Sequence, residues 1–93
     1  MLEFEWDENK NQTNIEKHGI SFERAKTIFD YPTLTRTDDR EEYDEIREVS
    51  VGLMEGLVVI VAVHTDRDDK IRIISARPAN RRERNQYYEF TQG

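Results

Sequence analysis

"LVVIVAVHT", residues 57 to 65, is an unbroken apolar run that meets its first polar residue at His64. It is far too short to cross a bilayer. Bounded by turn residues and rich in β-branched side chains, it predicts a central strand buried on both faces. Its neighbours agree. "IREVSVGLM" (46–54) alternates in polarity, and "KIRIISAR" (70–77) is short and β-rich. Glu55-Gly56 and Arg67-Asp68-Asp69 are the natural turns between the three runs. An antiparallel meander therefore organises the second half of the chain.

The first half reads differently. "LEFEW" sets Leu2, Phe4 and Trp6 against Glu3 and Glu5, the period of a half-buried strand. Asp7 caps a helix that runs to about His18, where Gly19 ends it. Ile15 is its only large apolar residue, which predicts that it covers the core at one edge. Ser21 caps a second helix with Phe22, Ala25, Ile28 and Phe29 on one face, and Asp30-Tyr31-Pro32 stops it. Residues 33–44 read as a loop that can hold a short edge strand near Leu34. Pro78 starts a last helix that reaches about Phe90, with Tyr87 on one side and Arg77, Arg81, Arg84 and Tyr88 toward another. The order is β-α-α-β-β-β-α, an α+β domain over residues 1–93 with an antiparallel sheet and helices packed against one face.

Charge is distributed unevenly along this framework. The net charge is -6, yet 70–84 holds six basic residues against Glu83 alone, while 37–48 holds seven acidic residues against two arginines. Such asymmetry implies a charged partner, or else mutual pairing of the two segments. The chain has no cysteine and two histidines, which excludes disulfides, thiolate sites and a histidine-rich zinc site. "MLEFEWDENK" has neither a basic start nor an apolar stretch, so a cytoplasmic protein without membrane association is expected.

The arginines follow a structural path. Arg72 and Arg77 fall on a strand, and Arg81 and Arg84 on the helix after it. A guanidinium matches phosphate in a bidentate way and stacks on bases, so together they predict a phosphate-binding surface, with Tyr87 or Tyr88 as a stacking platform. The plainer reading is a solvated helix face paired with carboxylates such as Glu83. His64, at a strand end, can act as a general acid or base, or be a structural residue; Glu48 and Glu55 are further carboxylate bases. No phosphate loop, Ser-His-Asp order or dinucleotide fingerprint is present, which narrows enzymatic readings to cofactor-free chemistry. RNA cleavage by the substrate's own 2′-hydroxyl fits, since the protein need only place a base, a proton donor and positive charge.

"FEWDENK", "N-x-x-KHG" (Asn14, Lys17, His18, Gly19), "SFERA" and "RIISARPANRRERNQYY" resemble, in combination and in order, the BrnT toxins of bacterial type II toxin–antitoxin systems. The resemblance spans nearly the whole chain. It implies a RelE-like fold, a growth-inhibiting ribonuclease and a BrnA-type antitoxin with a ribbon-helix-helix DNA-binding domain. It also implies an autorepressing complex that meets operator DNA only through that antitoxin. The matching positions are Lys10, Lys17, His18, Arg72, Ser75, Arg77, Arg81, Glu83 and Arg84. Phosphate or transition-state binding passes first to Arg72 and Arg77, then to Arg81, with Lys10, Lys17, Arg84 and Tyr88 along the RNA; His64 and Glu48 complete the expected catalytic set. No cofactor or metal is called for. A non-catalytic module that only binds the antitoxin and co-represses is the competing expectation.

Overall fold

The structure is a computed structural model that describes residues 2–38 and 45–92. The acidic positions Asp39, Glu41, Glu42 and Asp44 lie outside the described residues. Five strands form one sheet: β1 (Glu3–Trp6), β2 (Leu34–Asp38), β3 (Arg47–Met54), β4 (Val58–Arg67) and β5 (Lys70–Pro78), in the order β1-β5-β4-β3-β2. The expected meander is β3-β4-β5, and "LVVIVAVHT" is its central strand. The sheet is mixed rather than antiparallel throughout, because β1 runs parallel to β5. The short edge strand that the segment after Pro32 could hold near Leu34 is present, and it runs from Leu34 to Asp38 against β3.

Local chemistry sets the element ends. Asp7 accepts from the Lys10 N–H at the start of helix α1 (Glu8–His18), and Gly19 closes it in the left-handed region at φ 69°. Ser21 caps α2 (Phe22–Ala25), but that helix tightens into a 3₁₀ turn over Lys26–Asp30 instead of continuing as α-helix. Both hairpin turns have positive φ at their two central residues: 55° and 72° at Glu55-Gly56, and 52° and 63° at Asp68-Asp69. That is the twist a two-residue hairpin favours. The last helix, α3, spans Arg81–Gln92 and does not begin at Pro78, which ends β5. Asn80 and Glu83 form a reciprocal capping box. The Glu83 N–H donates to Asn80 Oδ1 and the Asn80 N–H to Glu83 Oε1, each at 2.8 Å.

Helices cover both faces of the sheet, not one. Ile20, Phe22, Ala25 and Ile28 pack with Ile60, Ala62, Ile71, Ile73 and Ala76 on the first face. Tyr87 and Ala79 pack with Val49, Val59 and Val61 on the second, anchored by a 2.7 Å bond from the Tyr87 hydroxyl to the Pro32 carbonyl. Each fully buried aliphatic side chain contributes roughly 1.5–3 kcal/mol. Helix α1 follows another rule. Its buried residues are Asn11 and Asn14, while Ile15 is exposed. Asn14 Nδ2 donates to the Ala76 and Ile20 carbonyls at 2.8 and 2.9 Å, and its Oδ1 accepts from the Ala76 N–H at 3.1 Å. β1 pairs with β5 only as far as Ile73. Beyond that point the Asn14 carboxamide takes the place of a neighbouring strand.

Candidate nucleic-acid interface

A β-bulge decides where the arginines point. Val63 pairs with Ser75 and His64 with Ile73, so Ile74 is an extra residue in β5. In a regular strand, Arg72 and Arg77 are five residues apart and fall on opposite faces. The bulge restores parity. Ile71, Ile73 and Ala76 all face the α1/α2 core, while Arg72, Ser75 and Arg77 all face the other way, the side that α3 covers in part.

On that second face a shallow depression of about 480 Å³ is lined by Arg36 and Asp38 from β2, Val49, Val61 and Val63 as a floor, and Ser75 and Arg77 from β5. Arg77 donates two 2.8 Å hydrogen bonds to the two carboxylate oxygens of Glu83. Those bonds, with the Asn80 N–H and the positive charge of Arg77 and Arg36, lower the Glu83 pKa to about 2 against an opposing effect of burial; Arg77 is raised in turn. Glu83 thus holds the Arg77 guanidinium, and Arg36 lies near enough for its charge to be felt at the same carboxylate. Its partner is Arg77, not Arg81 or Arg84. Arg72 shares this face further along β5 and pairs with Glu5 at 3.2 Å.

Ser75 also lines a second groove, of about 310 Å³, with Lys10, Lys17 and His18 on α1 and Ile74 at the bulge. The two lysines, predicted from motif positions alone, therefore adjoin the Arg77 depression through a shared residue. Arg81 and Arg84 line neither cavity; Arg84 instead donates to the Ala79 carbonyl at 2.9 Å. Tyr87 is buried in the core and Tyr88 stacks edge-on against it at 5.8 Å, with its own ring partly exposed. Arg36 and Asp38 carry no local signal in the sequence; only the pairing of β2 with β3 brings them to this depression.

His64 and Glu48 are not brought to the arginines. They are cross-strand partners on the first face of the sheet. His64 is 2% exposed, with Phe29 edge-on at 5.1 Å. Its Nδ1 meets Asp66 Oδ1 at 2.9 Å and its Nε2 meets Ser50 Oγ at 2.8 Å, and Ser50 Oγ meets Thr35 Oγ1 at 2.8 Å. This Asp-His-Ser sequence has the contacts of a catalytic triad, but Ser50 is wholly buried. What it does is satisfy buried polar groups across β2, β3 and β4.

Fold and site together define a small α+β protein whose five-stranded sheet carries two guanidinium groups and the Asp38 carboxylate around one shallow depression. The family model described as "Ribonuclease toxin, BrnT, of type II toxin-antitoxin system" matches residues 6–83. The chain belongs to this BrnT family. The 1.1 Å crystal structure of the Brucella abortus ribonuclease toxin BrnT has a similar fold, with a TM-score of 0.64 and 25% sequence identity. The match covers 87% of this chain and 100% of that one. Comparison with curated proteins by sequence finds no match. Membership in a type II toxin–antitoxin family implies an antitoxin partner. No helix among the described residues is long and apolar enough to cross a membrane.

Proposed function

We propose that this chain is a RelE-like endoribonuclease toxin that cleaves RNA through the substrate's own 2′-hydroxyl, without a metal, and so stops translation and growth. The observation that carries the reading is that Arg36 and Arg77 line one depression over a valine floor, with Glu83 bonded to Arg77. Two guanidinium groups sit where a phosphodiester can settle, and Lys10 and Lys17 continue the cationic surface along the strand. The 2′-oxygen attacks phosphorus and forms the O2′–P bond while the P–O5′ bond breaks. The 2′ proton passes to the Asp38 carboxylate, and the 5′ oxygen takes its proton from solvent. Arg77 and Arg36 bind the charge that builds on the non-bridging oxygens. Glu83 keeps Arg77 oriented while the phosphate is absent.

The toxin acts as a single domain in the cytoplasm. It is held inactive by a BrnA-type ribbon-helix-helix antitoxin that covers this cationic face, and the pair represses its own operon, touching DNA through the antitoxin. Incubating antitoxin-free protein with RNA in EDTA tests the catalytic step. Products should carry 2′,3′-cyclic phosphate and 5′-hydroxyl ends, and Arg77→Ala should slow cleavage by about 10²-fold or more. Intact RNA with folded wild type refutes the reading, as does an unaffected Arg77→Ala.

One observation favours a second reading. Glu83 already occupies both arms of Arg77, and neither expected base lies on that face. A module that binds antitoxin and co-represses without cleaving would leave both RNA and growth untouched when expressed alone.

A further inference from the structure

Beside the Arg77 depression runs a larger groove of about 740 Å³ between β2 and the first turns of α3. The two are continuous, since Arg36 and Val49 line both. The groove differs in chemistry. Leu34, Val49 and Val51 give it an aliphatic floor, and Arg82 and Gln86 rise from consecutive turns of α3 along one wall. Both of these α3 residues are exposed, and Arg82 belongs to the same basic block as Arg77.

Resting on the ribonuclease reading above, we infer that this groove is a nucleobase subsite. It receives the unpaired base next to the phosphate that Arg36 and Arg77 hold. The occupant follows from three features. The floor is aliphatic, with Leu34 and Val51 partly exposed, which suits the face of a base. The walls carry guanidinium groups that stack on a base and draw its anionic backbone. Gln86 offers a donor and an acceptor together, which is what the edge of a base requires. Glu83, the acid in the groove, is already bonded to Arg77 and to the Asn80 N–H, so it does not repel the strand. A duplex keeps its bases stacked and cannot place one here, so the substrate class is single-stranded RNA.

The test uses short single-stranded 2′-deoxy oligonucleotides, which lack the attacking hydroxyl and stay intact, in base-bearing and fully abasic forms. Fluorescence anisotropy should show wild type binding the base-bearing strand about tenfold more tightly than the abasic one. In the Arg82→Ala/Gln86→Ala double variant, with circular dichroism unchanged, that ratio should fall to about twofold or less. Arg77→Ala should weaken both strands and leave the ratio intact. A wild-type ratio near one, or a double variant that keeps the wild-type ratio, overturns the inference. The two readings fail separately: cleavage of RNA with no base preference removes the subsite alone, whereas base preference without cleavage removes the ribonuclease alone.

Discussion

Replacing Asn14 by alanine removes the one side chain that closes β5 where β1 stops. The carboxamide is 6% exposed and makes three hydrogen bonds to buried backbone, two of them to Ala76. Ala76 sits between Ser75 and Arg77, so the loss strikes the segment that carries the proposed site. The Ala76 N–H would remain in a dry environment with nothing to donate to, at a cost of about 1–3 kcal/mol. Two carbonyls lose a donor as well, and the small cavity left behind adds a further fraction. A total of about 2–4 kcal/mol is expected, which for a domain of this size lowers Tm by at least about 8 °C. Equilibrium urea unfolding at neutral pH measures it directly. Asn14→Asp keeps the acceptor for the Ala76 N–H but loses both donated bonds and adds a buried charge, so it should be no better than alanine. If Asn14→Ala unfolds within about 0.5 kcal/mol of wild type, the carboxamide is not standing in for a strand and the account of α1 docking fails.

Other substitutions probe other parts of the molecule. Glu83 has a folded pKa of about 2 against an ordinary 4.5, so its pairing stabilises the fold above pH 4.5 and that contribution disappears as pH falls through 2. Because Arg77 is 45% exposed, solvent screening leaves about 1–2 kcal/mol of it. Glu83→Gln should lose this at pH 7 and converge on wild type near pH 2; parallel pH–stability curves would contradict the assignment. Ser50→Ala leaves His64 Nε2 without its buried partner, so the urea midpoint should drop by the equivalent of about 1–3 kcal/mol while folded protein cleaves RNA at the wild-type rate. A large loss of cleavage in folded Ser50→Ala would restore a catalytic role to the first face. Gly52→Ala places a Cβ 2.9 Å from the Ile28 Cβ and 3.1 Å from the Thr33 Cγ2, and thermal melts should show a cost of about 1–3 kcal/mol.

How much of this was legible in the sequence depended on whether the signal was local. Asp7, Ser21 and Gly19 mark helix ends through their own side chains or φ, and they stand where they were read. The three central strands announce themselves by apolar content and by the turns between them. β2 does not: Leu34, Thr35, Arg36, Thr37 and Asp38 contain one aliphatic residue, and only pairing with β3 makes them a strand. The parallel pairing of β1 is likewise a long-range choice, joining Glu3 to Lys70. Pro78 is a conspicuous start signal for α3, yet the deciding one is the reciprocal bonding of Asn80 and Glu83. Lys10 and Lys17 came from motif positions rather than physics, and the geometry supplies what links them, a groove that ends at Ser75.

The bulge at Ile74 decides which of the expected site residues share a face and which do not. "KIRIISAR" in strict alternation puts Ile71, Ile73, Ser75 and Arg77 on one face, which would bury Arg77 against the α2 core and send Ala76 outward. A buried guanidinium far from a carboxylate is costly, so the regular register is disfavoured. Inserting Ile74 lets Ala76 return to the core, where Asn14 bonds its backbone, and delivers Ser75 and Arg77 to the face where Arg36 waits. No such shift occurs between β3 and β4, so Glu48, Ser50 and His64 stay in phase with Ile60 and Ala62 on the side of the helical core. Arginines and histidine look like neighbours along the chain, yet the sheet itself lies between them. In the proposed cleavage, the proton acceptor beside Arg77 must therefore come from an element on its own face, and Glu83 of α3 is already committed to Arg77. β2 meets that condition with Asp38, whose place on this face follows from the register of the edge strand against β3.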